Sequence, residues 1–159
     1  MYASRIDLSA DVRETSVARL PARLFDALDL EAQLKQAHWN VKGRDFFQLH
    51  QLFDSIHGEI EVFADTLAER ITALGGVADG RVSATAAGTG LPTYPLDAKL
   101  GETHLRAVAT ALADFGRAVR ANIDDATHAG DADTADVFTE VSRETDKQLW
   151  FVEAHLVVA

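Results

Sequence analysis

The fold is decided by the stretch from Phe46 to Leu74, which reads FFQLHQLFDSIHGEIEVFADTLAERITAL. Its apolar residues recur every three to four positions, which is the spacing of one face of an α-helix. They are Leu49, Phe53, Ile56, Ile60, Phe63, Leu67, Ile71 and Leu74. The stretch therefore predicts a long amphipathic helix that buries this face in a core.

Three further segments show the same spacing and predict three more helices. They run from Leu20 to about Asn40, from Leu105 to Ile123 and from Phe138 to Leu156. Short links join the first helix to the second and the third to the fourth. A crossover of residues 77–96 lies between the two pairs, and it is long enough to run the length of a bundle and to hold a short additional helix. We predict an all-α four-helix bundle with one long crossover.

Turn and cap residues mark the ends of these helices. Gly43 is predicted to end the first helix, and Asp45, with Gln48 three residues on, to cap the second. Asp133 or Thr134 is predicted to cap the fourth helix.

Length and composition limit the classes of protein. The 159 residues are predicted to form a single domain, 1–159, with a short N-terminal tail of residues 1–14. With no cysteine in the chain, any metal must be held by His, Asp or Glu. The net charge of −10 disfavours nucleic acid and anionic membranes as partners. No stretch is apolar enough to span a bilayer and nothing marks export, so a cytoplasmic location is expected.

Four polar residues of the second helix share one stripe. His50 and Asp54 are four residues apart, as are Asp65 and Glu69. At 100° per residue the four residues occupy a stripe about 100° wide that points away from the apolar face. Taken singly, each carboxylate is most simply a solvated surface group.

The spacing of the two pairs favours a site shared between chains. When a second copy of this helix packs antiparallel across a two-fold axis, the numbers of facing residues add to a constant. That constant is 119 both for Asp54 with Asp65 and for His50 with Glu69. One symmetric crossing would therefore place each pair together across the interface, although such coincidences also arise by chance on an acidic helix.

The first helix adds a second imidazole to this cluster. The short link folds the second helix back along the first, so that facing residues have numbers that add to about 88. His38 therefore faces His50. The resulting set of nitrogen and oxygen ligands suits Fe(II) better than the closed tetrahedral sites of zinc.

Six short motifs then resemble a known family. They are KQAHWN at 35–40, FFQLH at 46–50, DTLAER at 65–70, LPTYPLD at 91–97, DTAD at 133–136 and DKQLWF at 146–151. Together with the spacing of the metal residues, they strongly resemble the Dps family, the mini-ferritins. The resemblance extends from Thr15 to Leu156.

The resemblance implies a ferritin-like four-helix bundle that assembles into a hollow homododecamer from two-fold dimers. It implies a ferroxidase that oxidises Fe(II) to Fe(III), preferably with hydrogen peroxide, stores the ferric mineral and protects against oxidative stress. It also implies the ferroxidase centre: His38, His50 and Asp54 from one subunit, and Asp65 and Glu69 from its two-fold partner.

Four further residues are assigned roles as hypotheses. Trp39, next to His38, either intercepts stray oxidising equivalents or packs at a helix end. His57 lies in the stripe and either forms hydrogen bonds or takes a weaker metal. Asp131 and Asp136 lie in the region that lines three-fold pores in Dps-like shells, so both are candidates for drawing Fe(II) inward.

Two other classes of function remain as alternatives. A nucleoid-associated DNA-binding protein would need basic residues, whereas residues 1–14 contain two arginines, three acidic residues and no lysine. DNA binding is therefore not expected. A helical assembly module with an inactive metal site is disfavoured by the complete set of five ligand matches.

Overall fold

A computed structural model describes residues 1–157, and these residues form five α-helices. The helices are α1 (Ala10–Asn40), α2 (Phe46–Ala73), α3 (Val82–Gly88), α4 (Gly101–Ala129) and α5 (Ala132–Ala154). Over the same residues there is no β-strand. The predicted all-α bundle with a long crossover is confirmed, and α3 is the short additional helix within that crossover.

The helices pack as two hairpins around one core. α1 lies along α2, α4 lies along α5, and contacts between α1 and α4 join the two pairs, while α3 rests on α1. Phe53, Phe115 and Phe138 come from three different long helices and are fully buried at the centre. Burying one such side chain contributes about 1.5–3 kcal/mol, so the core holds the hairpins together. Within residues 1–157, no helix is both long and apolar enough to cross a membrane.

The predicted tail of residues 1–14 is wrong in extent, because α1 already begins at Ala10. Ser9 caps this helix with a side chain that accepts a backbone N–H. The preceding segment lies against the end of α2, where the Tyr2 amide donates to the Gly75 carbonyl at 2.7 Å. The Ser4 hydroxyl donates to the carbonyl of Ala73, the last residue of α2, at 3.4 Å. The segment thus supplies a partner for one of the carbonyls that the end of a helix leaves without one. The predicted domain ends at 159, and residues 158–159 lie outside the described residues, so the single domain stays a prediction.

The link between α1 and α2 also differs from its prediction. Gly43 does not end α1, because α1 stops at Asn40. Gly43 lies in the link and has a φ of 114°, a conformation that favours glycine. Asp45 occupies the N-cap position of α2, but its side chain makes no capping hydrogen bond. The Phe46 amide instead donates to the Gly43 carbonyl at 3.2 Å. Backbone turn geometry replaces the predicted pairing with Gln48.

Asp131 caps α5, rather than Asp133 or Thr134 as predicted. Its fully buried carboxylate accepts bonds from the Ser16 hydroxyl at 2.6 Å, the Arg70 guanidinium at 2.7 Å and the Thr134 hydroxyl at 2.6 Å. Burial raises the pKa of Asp131, but these hydrogen bonds and the charge of Arg70 outweigh burial and hold the pKa below its ordinary value. One carboxylate thus joins α1, α2 and α5.

Replacing Asp131 is expected to destabilise the fold strongly. Asp131→Ala leaves the largely buried guanidinium of Arg70 with the exposed Asp133, at 3.9 Å, as its remaining carboxylate partner, and removal of one member of a buried pair costs about 3 kcal/mol. Asp133→Ala is the matched control, because the side chain of Asp133 is 83% exposed and its loss costs about 0.5 kcal/mol or less. Denaturant unfolding at fixed protein concentration measures both changes. Equal losses in the two variants would contradict the role of Asp131.

Candidate metal centre

Two histidines meet where α1 and α2 approach their common link. His38 lies in the last turn of α1 and His50 near the start of α2. Their rings stack with centroids 3.6 Å apart and planes 20° apart, and both side chains are half-buried. Because the link is short, the two helices run antiparallel and the residues flanking it face each other.

The same two residues hold each other's rings through the backbone. Nδ1 of His38 lies 2.7 Å from the carbonyl oxygen of His50, and Nδ1 of His50 lies 2.8 Å from that of His38. A carbonyl oxygen only accepts, so we infer that both Nδ1 atoms carry hydrogen. Nε2 of each neutral ring therefore keeps a free lone pair, the arrangement found in histidines that bind metals. Both rings are oriented to act as ligands.

Asp54 lies beside this pair, one turn further along α2. One of its oxygens, Oδ1, is 3.9 Å from Nδ1 of His38 and forms an ion pair with the ammonium of Lys35 on α1. Lys35 lowers the pKa of Asp54 and keeps the carboxylate ionised. Lys35 is a member of the site that was not predicted from the sequence. The register that pairs His38 with His50 also places Lys35 beside Asp54, and that register was the available signal.

Asp65 and Glu69 lie elsewhere within the single chain. Both are exposed on α2, and Asp65 is about 16 Å from Asp54 along the helix axis at 1.5 Å per residue. Across residues 1–157, no three His, Asp or Glu side chains are grouped so that they could hold a metal. The chain therefore brings His38, His50 and Asp54 near one another and leaves Asp65 and Glu69 apart.

The predicted stripe faces away from the core of its own chain. Asp54, Asp65 and Glu69 are exposed, whereas the apolar residues of α2 that the sequence assigned to the core are buried. Between the two polar pairs, a Cβ added to Gly58 would meet nothing within 4 Å. The surface at Gly58 is thus open to the close approach of another helix.

An acidic cleft of about 270 Å³ adjoins the stripe between α1 and α2. Glu31, Glu61 and Asp65 line it together with apolar side chains. Burial, followed by the charge of Glu61, raises the pKa of Glu31 to about 7. The raised pKa of Glu31 could not be predicted from the sequence, because Glu31 follows the pattern of an ordinary solvated face of α1.

The structure bears differently on the four residues that were assigned roles as hypotheses. Asp131 does not fit a pore-lining role, because its carboxylate is buried and occupied by bonds within the chain. Asp136 is exposed on α5, so its role stays a prediction. Trp39 is 69% exposed and does not pack inside its own chain. His57 is half-buried, and burial and the nearby charge of Lys35 lower its pKa.

Comparison with known proteins places this geometry in a family. Residues 17–158 match the model of the ferritin-like domain. The chain is 39% identical over 155 residues to the DNA protection during starvation protein of Agrobacterium fabrum, and the match covers 98% of this chain and 96% of that protein. The chain belongs to the Dps family.

Solved Dps structures share the whole fold of this Dps protein. DpsC from Streptomyces coelicolor superposes with a TM-score of 0.94 at 33% identity, over 99% of this chain and 92% of that one. Dps from Microbacterium arborescens, solved in a high iron form, gives a TM-score of 0.88 at 33% identity, over 97% and 99% of the two chains. Membership in this family supports a role in iron storage and in protection against stress.

The raised pKa of Glu31 predicts a pH-dependent penalty on stability. Its pKa rises from 4.5 to about 7 on folding, so the free energy of unfolding falls as pH increases between these values and stays lower above them. Glu31→Gln removes the penalty and should stabilise the protein at pH 8 by about 1 kcal/mol, allowing for solvent screening of a half-exposed group. At pH 4.5 the substitution should have little effect.

Thermal unfolding at the two pH values measures this difference. Glu14→Gln, an exposed glutamate on the same helix, is the control and should change stability equally little at both pH values. A Glu31→Gln variant that gains nothing at pH 8 would show that the charge of Glu31 carries no penalty.

Proposed function

We propose that this Dps protein is a ferroxidase that oxidises Fe(II), preferably with hydrogen peroxide, and stores the ferric mineral in a hollow homododecamer built from two-fold dimers. The proposal rests on the two hydrogen bonds by which the backbone carbonyls of His38 and His50 orient each other's rings. They leave both Nε2 atoms available as ligands beside an ionised Asp54. A cytoplasmic location belongs to the same proposal.

The complete centre is proposed to form between two copies of the chain. An antiparallel contact between two α2 helices brings Asp54 opposite Asp65, and His50 opposite Glu69. The exposure of the whole carboxylate stripe and the open surface at Gly58 support such a contact. Each dimer would then contain two equivalent centres.

The ligands suit each stage of the oxidation. Neutral imidazoles bind the substrate Fe(II), and carboxylate oxygens favour the harder Fe(III) product. Each Fe(II) gives up one electron, and hydrogen peroxide takes two electrons and two protons while its O–O bond breaks, yielding two waters. Complete two-electron reduction of the peroxide releases no hydroxyl radical.

Removal of a carboxylate from the far end of the stripe tests this function. Asp65→Ala or Glu69→Ala should slow oxidation by tenfold or more, which is the order of the decrease in activity expected when a metal site loses one strong contact. The assay loads Fe(II) without oxygen, adds peroxide and follows the absorbance of the ferric product. Helical content should not change, because neither side chain packs in the core of its own chain.

Glu59→Ala is the matched control for this assay. Glu59 is also an exposed acidic residue of α2, but it lies outside the stripe, so oxidation should proceed at the wild-type rate. Equal rates in wild type, Asp65→Ala and Glu69→Ala would contradict the proposed centre.

DNA is expected not to bind. The net charge is −10, and the segment before α1 lies against the end of α2 instead of extending towards a duplex. In a gel-shift assay at about 50 mM salt, the assembled protein should leave linear duplex DNA unretarded. Retardation that disappears at higher salt would instead support a nucleoid-associated role.

A further inference from the structure

Lys35 occupies a position that iron oxidation does not by itself explain. It lies on α1 one turn before His38, and its ammonium forms an ion pair with Oδ1 of Asp54 on α2. Its side chain is 31% exposed and that of Asp54 is 45% exposed. A positive charge thus lies on one carboxylate of the proposed centre.

A metal ion and this ammonium compete for the same group. A divalent cation bound by Asp54 and by Nε2 of His38 would lie within a few ångströms of Nζ of Lys35. Two positive charges at such a distance repel each other, and partial burial of the site reduces screening by water. Repulsion between the two cations therefore favours separation of Lys35 from Asp54 when a metal ion binds.

The net charge of the centre indicates that Lys35 also weakens the binding of the ferric product. Asp54, with Asp65 and Glu69 of a second copy, supplies three negative charges, and Lys35 reduces the total to minus two. This total balances one Fe(II), whereas Fe(III) leaves an excess of one positive charge. With Lys35 present, the product is therefore held less favourably than it would be by the carboxylates alone.

We propose that Lys35 is the built-in counter-cation of the centre: its ammonium pairs with Asp54, and a divalent metal ion binds by displacing it. This proposal rests on the proposed function and adds a residue that sets the affinity of the centre. When ferric ion leaves, Lys35 returns to Asp54. The exchange keeps metal binding weak enough for iron to pass through the site to the mineral.

Binding of Zn(II), which undergoes no redox change, tests the exchange without measuring oxidation. Isothermal titration calorimetry on the assembled protein should show tighter Zn(II) binding in Lys35→Met by about tenfold, because no charge has to be displaced. Lys35→Arg keeps the charge and should bind Zn(II) within about threefold of wild type. Lys42→Met, at an exposed lysine on the α1–α2 link, is the matched control and should match wild type.

Asp54→Ala separates failure of this proposal from failure of the centre itself. If Asp54→Ala weakens Zn(II) binding while Lys35→Met leaves it unchanged or weaker, the counter-cation role is wrong and the centre stands. If Asp54→Ala has no effect, both proposals are contradicted. Melting temperatures of the metal-free variants, measured in parallel, confirm that each variant is folded.

Discussion

The register of α1 against α2 is the constraint on which the fold and the proposed site both depend. Leu34 on α1 and Phe53 on α2 are both fully buried in the same core, so packing between the two helices sets this register. The same register aligns His38 with His50, so that each ring reaches the other residue's carbonyl. A slip of one residue would rotate a helix by about 100° and break both hydrogen bonds. Core packing thus orients the imidazoles.

The buried carboxylates Asp131 and Asp26 and the exposed carboxylates Asp65 and Glu69 have different roles in this protein. Buried ones are satisfied inside the chain: Asp131 joins three helices, and Asp26 accepts the Gly90 amide at 2.7 Å and fixes the crossover to α1. In the described part of the chain, neither Asp65 nor Glu69 forms a side-chain ion pair, and both are exposed. Asp131 and Asp26 connect separate segments of the fold, whereas the carboxylate oxygens of Asp65 and Glu69 have no ion-pair partner among the described residues.

Sequence periodicity predicted the helices, the crossover and the meeting of His38 with His50, because these depend on spacing along a regular helix. It did not predict the cap at Asp131 or the docking of the first residues, which depend on which donors approach from distant parts of the chain. Lys35 was missed because a lysine near a carboxylate on another helix looks like any solvated residue. The register of two packed helices shows which of their charged residues are neighbours.

The shared centre is the central claim, and complementation between two inactive variants tests it most directly. His50→Ala and Glu69→Ala should each lack an intact centre as homodimers. In a mixed dimer, one centre draws both residues from unmutated positions, so co-assembly should restore oxidation at up to about half of the sites. A site built within one chain allows no such rescue. Absence of activity in particles shown by mass to contain mixed dimers would contradict the account.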